Sequence, residues 1–481
     1  MYAKHTQFRL KKRVQIFPTA TPSFLDPFFR DDASPFDGIL TGDTVQHFLN
    51  ENKCRFGETY HAVYTPFLTM WMHLWQLLSD EGCDAAVAVA IAYCNEIGVK
   101  APGVDTGGYV RARNKIPAKV YTDLAGHLAR ELEIKAKEEW KPFGRPTWSI
   151  DGTTFTLPAT PENLEKFECH PNQQSDVGLP IPRAIVATSM TTGCLLTFQY
   201  DNYSGKGTGE ISMLRNNLNV FQEGDLVIMD ALYCSFPMLA LLAKRGIDVI
   251  VRMSGSRLVD HRSSERLDTG DFIMTWKRPA ASQLPHGYSV DDFPETMRVR
   301  VVRYRVKNAA DKWETFEIVT TLLDETKFPR DEIAELYDCR WYSETDIRTL
   351  KGALSLDHVR CLTPENVERE VWATILGYNL VRKTAASAAN ATEKKPRDIG
   401  FTGTWNIVSA SWLFRSVDKS VSKELLERIL ENIAKHRVDH RPGRLEPRVV
   451  RKRPKSYPKM KKARSAYHRR ATPTEILPEF F

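Results

Sequence analysis

Five short apolar runs between residues 146 and 253 restrict this chain more than any other feature. "PTWSI" reads as a strand that ends at Asp151. "PRAIVATSM" (182–190) and "GCLLTFQY" (193–200) read as two paired strands around a Thr-Gly turn. "DLVIMD" (225–230) is a buried strand closed by an acid, and "IDVIVRM" (247–253) is another strand. Between them, "GEISMLRNNL" (209–218) and "SFPMLALLAKRG" (235–246) have helical patterns, the second closed by a glycine. The order β-β-β-α-β-α-β predicts a mixed α/β layer in which the first and fourth strands lie side by side.

That expectation puts two acids, Asp151 and Asp230, at neighbouring strand ends. A carboxylate beside apolar strands is costly unless it is paired or bound to a metal. Asp151 alone also suits an ordinary Asp-Gly turn.

A third acid comes from "YDCRWYSETDIRTLK" (337–351). At about 100° per residue, Arg340, Glu344 and Lys351 fall within roughly 60° of Tyr337 on a helical wheel, and Asp346 falls opposite. By itself such a face is an ordinary salt-bridged surface. Laid on the sheet described above, it brings Glu344 toward both aspartates. Three converging carboxylates repel one another without cations. Two Mg²⁺ ions resolve this, since hard cations prefer oxygen ligands. The chemistry they serve is in-line attack on phosphate.

The spacing Tyr337-x2-Arg340-x3-Glu344-x6-Lys351 resembles the Y-R-E-K signature of bacterial insertion-sequence transposases of the DDE type, the IS-four family. "SIDGTTF" and "VIMDALYCSF" resemble the family's first- and second-aspartate segments, and "YVRARNKIP" and "PRVVRKRPKSYPKMKKAR" look like segments of one subgroup. The resemblance covers about residues 110–460. It implies an RNase-H-like mixed-sheet catalytic core interrupted by a β-rich insertion, with helical regions before and after. It implies that Asp151, Asp230 and Glu344 are catalytic and bind two Mg²⁺, with Mn²⁺ as a substitute. Tyr337, Arg340 and Lys351 would contact DNA phosphates. In well-known relatives a tryptophan of the insertion stacks on a flipped base. The corresponding segment here has Phe316, with Trp313 three residues away. The implied reaction is cut-and-paste transposition through a DNA hairpin, by a homodimer that pairs two terminal inverted repeats and joins them to target DNA. The competing expectations are a catalytically silent, domesticated or decayed DNA-binding relative, and a nuclease of the same core that does not join strands.

At 481 residues about two to four domains are expected. We expect a mostly helical DNA-binding region over 1–140, the core over 141–253, a β-rich insertion over 254–336, the catalytic helix and rest of the core over 337–395, a helical region over 396–440 and an extended basic tail over 441–481. The insertion contains "RVRVVRYRV", whose alternation predicts one basic and one apolar edge. Residues 435–470 carry fifteen Lys or Arg against two acids, whereas the whole chain is only +7, so the cationic charge is concentrated in one stretch suited to a polyanion. A stripe of Arg111, Arg113 and Lys115 suits a solvated helix face.

The eight cysteines lack zinc-site spacing and read as free thiols of a reducing, cytoplasmic compartment. "AVYTPFLTMWMHLWQLL" (62–78) contains His73 and Gln76 and reads as a buried helix rather than a membrane span. His170 and His358 have no partner at ligand spacing. "GKGTGE" (205–210) lacks the lysine of a P-loop, and no G-x-S-x-G marks a serine nucleophile.

Overall fold

The structure, a computed structural model, describes residues 39–57, 62–96, 100–169, 178–254, 264–267, 269–307, 313–415 and 423–438. The basic tail and His170 lie outside the described residues.

Thirteen α-helices occur among them: α1 (Gly42–Glu51), α2 (Pro66–Leu78), α3 (Cys83–Glu96), α4 (Gly107–Arg113), α5 (Ala118–Lys135), α6 (Pro161–Lys166), α7 (Glu210–Asn216), α8 (Phe236–Ala243), α9 (Arg330–Asp338), α10 (Trp341–Ala353), α11 (Pro364–Ala391), α12 (Phe401–Arg415) and α13 (Lys423–Lys435). Nine strands, β1 (Thr147–Thr154), β2 (Arg183–Ser189), β3 (Leu195–Asp201), β4 (Leu226–Met229), β5 (Asp248–Arg252), β6 (Glu265–Arg266), β7 (Phe272–Lys277), β8 (Thr296–Lys307) and β9 (Trp313–Thr320), form one sheet in the order β3-β2-β1-β4-β5-β9-β8-β7-β6.

β1, β2 and β3 pair antiparallel, whereas β1, β4 and β5 run parallel. The parallel strands need crossovers, which α7 and α8 supply. Along β1, β4 and β5, Trp148, Ile150, Val227, Met229, Val249 and Val251 enter the core beneath α7 and α8. Leu226, Ile228 and Ile250 face the other way, against Ile333, Leu336 and Tyr337 of α9. Burial on both faces is why β4 is the unbroken apolar run Leu-Val-Ile-Met.

Several expectations are corrected. β1 does not stop at Asp151 but continues to Thr154, because β2 pairs with it along that length. Ahead of residue 57, α1 is capped where the Thr44 amide donates to Thr41 Oγ1 at 3.1 Å. The stretch 337–351, expected to lie on one helix, is divided between two, α9 and α10. At the joint, Tyr342 N donates to Cys339 O and Ser343 N to Arg340 O, the tighter i→i+3 pattern.

The β-rich segment is continuous with the core sheet, since β9 pairs antiparallel with β5. In β8 the expected split into a basic and an apolar edge fails. Val301 and Val302 are both buried, and so is Arg300. Both faces of β8 are covered there, so the cation is satisfied inside. Arg300 Nε donates to Asp271 Oδ2 at 3.0 Å, and Nη1 donates to the Phe328 carbonyl at 2.6 Å.

α11 is the second organising element. It is buried nearly end to end, so it needs cover on every side. α2 and α5 supply part of that cover, and Ala184, Val186, Leu195 and Phe198 of the sheet supply another part of the same core. The 62–78 segment is therefore a buried helix, and no described helix is long and apolar enough to cross a membrane. All eight cysteines are free.

Candidate active site

Register brings the two aspartates together. The last parallel pair between β1 and β4 is Ser149 with Ile228. Asp151 and Asp230 each lie two residues further on, so both carboxylates emerge at one end of adjacent strands on the α9 face. Asp151 remains in its strand, with Oδ1 accepting from the Gly152 amide at 2.9 Å. Asp230 caps the next turn, Oδ1 accepting from Leu232 N at 2.8 Å.

The joint between α9 and α10 delivers the remaining groups. Arg340 Nη1 donates to Asp151 Oδ2 at 3.1 Å, and Nη2 donates to Glu344 Oε1 at 3.3 Å. One guanidinium thus bridges two acids that are far apart in the sequence. Burial raises the Asp151 carboxyl above its ordinary value, and Glu344 and Asp230 push in the same direction while Arg340 opposes them. Burial works against the charge on Arg340, yet Asp151, Tyr337, Glu344 and Asp230 together hold its pKa above the usual value. Each of the three acids is therefore felt at this guanidinium. Burial pushes the Tyr337 phenol up to about 12, while the nearby Arg340 lowers it.

Asp346, expected on the far side of the helix, is there and is buried. It accepts from Arg382 Nη2 at 2.7 Å, Arg397 Nη1 at 2.8 Å and Tyr378 Oη at 2.9 Å. This cluster clamps α10 to α11 and fixes the face on which Glu344 stands.

The remaining expected site residues stand further out. Lys351 pairs with Asp357 at 3.1 Å. Phe316 is half-buried, stacked on Tyr304 with ring centroids 5.7 Å apart, and the Arg252 guanidinium lies 4.6 Å from its centroid. Trp313 is 63% exposed. In the N-terminal stripe, Arg113 turns inward to Gln76 Oε1 at 3.3 Å, while Arg111 and Lys115 are exposed.

A fourth acid, Glu210, was not apparent in the sequence. It opens α7 on the opposite face of the sheet and reaches the same strand end. Tyr233 Oη, three residues beyond Asp230, donates to Glu210 Oε2 at 3.3 Å. Burial raises the Glu210 carboxyl; Arg183 and the Tyr233 hydrogen bond lower it, while Asp230 and Asp151 raise it further. Nothing in "GTGEIS" announces this position, because it depends on where α7 crosses β1.

Residues 142–380, which hold all three expected catalytic acids, match the transposase DDE domain family. The chain belongs to the IS4 family of DDE transposases. It is 22% identical over 351 residues to the transposase InsG for insertion sequence element IS4 of Escherichia coli (strain K12), an alignment covering 70% of this chain and 76% of that relative. The five core strands are accordingly the RNase-H-like core of a DDE transposase, a family of DNA-binding enzymes that use divalent metal ions.

Among the described residues no three His, Cys, Asp or Glu side chains are arranged to hold a metal ion as they stand. The Arg340 guanidinium is placed among the acids instead. As a donor set the site nevertheless fits a hard divalent cation: carboxylate oxygens from Asp151, Asp230 and Glu344 at one strand end, each acting on a single guanidinium.

Proposed function

We propose that this transposase cuts DNA at the terminal inverted repeats of an insertion sequence and joins the freed ends to target DNA, with Asp151, Asp230 and Glu344 as its catalytic carboxylates. The observation that carries this reading is the Arg340 bridge from Asp151 to Glu344, with Asp230 in register beside Asp151. Hydrolysis breaks the P–O3′ bond at the element's end, leaving a 3′-hydroxyl and a 5′-phosphate. That hydroxyl attacks the opposite strand to form a hairpin, which water reopens, and the 3′ ends then attack target phosphodiesters.

Asp151, Asp230 and Glu344 would hold two Mg²⁺ ions, which when bound polarise the reacting phosphate oxygens and lower the pKa of attacking water. Arg340, planar and forked, suits a phosphate once its carboxylates are otherwise neutralised. Tyr337 supports it from the core, and Lys351 adds a point charge further along α10. The exposed Trp313 would offer an aromatic face to an unstacked base, and Phe316 would do so only on displacing Arg252 or Tyr304 from its ring. The helical region over 1–140 and the basic tail over 441–481 would hold duplex DNA, and two copies would pair the element's ends.

The test is excision from a plasmid carrying the gene with its native flanks, read by amplification across the empty donor site, beside Glu344→Gln. Excision by the wild type alone is expected. Excision by both would break the carboxylate assignment, and excision by neither with DNA binding retained would favour a silent DNA-binding relative. The hairpin step fails if end cleavage never yields a hairpin on denaturing gels.

A further inference from the structure

Glu210 occupies a position that a normal strand would close. β1 alternates its side chains between faces, and residue 152 belongs to the face beneath α7. Residue 152 is glycine, and the carboxylate of Glu210 fills the space its side chain would take. A Cβ there would lie 2.4 Å from Glu210 Oε2 and 2.5 Å from its Cδ. The acid therefore lies against the backbone next to Asp151, on the other side of the sheet. Its second contact, from Tyr233, ties it to the turn that Asp230 caps. Among the described residues its cationic partner is Arg183, at 3.8 Å. That distance is beyond a good hydrogen bond, and Arg183 also stacks over the Tyr203 ring at 4.3 Å.

We propose that Glu210 is a fourth acid of the catalytic centre, a positioning residue that acts through Gly152 and Tyr233 on Asp151 and Asp230 and raises the affinity of the site for divalent cations. Its carboxylate adds negative charge beside the two aspartates without standing on their face. Its hydrogen bond holds the 231–233 turn, and with it the aspartate that caps that turn. Partners of this kind, one shell behind the ligands, tune metal affinity by about 10–100-fold. The inference rests on the metal-binding reading of Asp151 and Asp230.

The experiment is calorimetric titration of Mn²⁺ into the full-length protein without DNA, comparing wild type, Glu210→Gln and Tyr233→Phe. Glu210→Gln keeps an acceptor for Tyr233 and removes the charge. It is expected to weaken Mn²⁺ binding about tenfold and to raise the half-saturating Mg²⁺ for end cleavage by a similar factor. The affinity for end DNA in EDTA should stay near wild type. Tyr233→Phe should move both midpoints the same way by less, and it carries the test if Glu210→Gln does not fold. Unchanged Mn²⁺ affinity and Mg²⁺ midpoint in a folded variant would overturn the role of Glu210 alone. A wild type that binds no Mn²⁺ would overturn the metal reading and this inference with it.

Discussion

Arg340 Nη1 stands 3.1 Å from Asp151 Oδ2, joining residues 189 positions apart. The same guanidinium reaches Glu344, so a single cation offsets the mutual repulsion of the acids. A divalent cation would compete for those oxygens. Arg340→Ala is therefore expected to lower metal-free stability by about 1 kcal/mol, the scale of a partly exposed pair. It should also enlarge the rise in Tm when Mn²⁺ is added. Melting curves with and without Mn²⁺ check this; a Tm rise no larger than that of the wild type would refute the competition.

Glu344→Gln should abolish cleavage of element-end DNA while leaving binding within about twofold, since in its proposed role the residue gives up a metal-ligand charge and Gln keeps an oxygen for Arg340. Gel-shift and cleavage assays on one substrate separate the two effects. Parallel loss of binding would count against a catalytic role.

Lys351 lies beyond the carboxylates and is half-exposed in its pair with Asp357. Lys351→Ala is expected to weaken end-DNA binding uniformly across sequences. It should also flatten the plot of log affinity against log salt by about one unit of slope, one phosphate contact. An unchanged slope would remove Lys351 from the DNA interface.

Asp346 shares its buried pocket with two arginines, Arg382 and Arg397. Asp346→Ala leaves both cations without their carboxylate. It should cost about 3–5 kcal/mol, read as a large fall in Tm or in the denaturant midpoint. Cleavage should fall with it, because α10 loses its anchor on α11.

His73 is fully buried, with Nδ1 3.0 Å from the Tyr121 hydroxyl, and burial first, then Arg113 and Arg369, hold its pKa well below 6.5. Above pH 6.5 the ring is neutral both folded and unfolded, so the stability is fully present. As pH falls below 6.5, the unfolded chain takes up a proton that the folded one refuses, and stability drops by up to about 1.4 kcal/mol per pH unit. His73→Gln should remove that part of the slope in melts between pH 6.5 and 5. A wild-type slope in the variant would place the titration elsewhere.

The helix that carries Glu344 was legible as a face but not as a shape. The spacing of Tyr337, Arg340, Glu344 and Lys351 put them on one side and Asp346 on the other, and the buried clamp on Asp346 agrees with that. Helical spacing carries no sign of the joint at Cys339–Arg340, because a tightened turn changes two hydrogen bonds without changing the apolar pattern. Likewise "RVRVVRYRV" read as a two-faced strand because the buried partner of Arg300, Asp271, is 29 residues away.

By itself the sequence determined the order of the core strands and of the helices that cross between them over residues 146–253, the acid that closes β4 and the acid face of the helix that follows. Those are local properties: apolar period, turn chemistry and residue spacing. Only the tertiary structure decided that Arg340 stands among the acids, that Arg113 turns inward and that Glu210 fills the face left open at Gly152. Each of these depends on which segments pack together, and a long-range ion pair or a gap opposite a glycine leaves no periodic trace in the chain that encodes it.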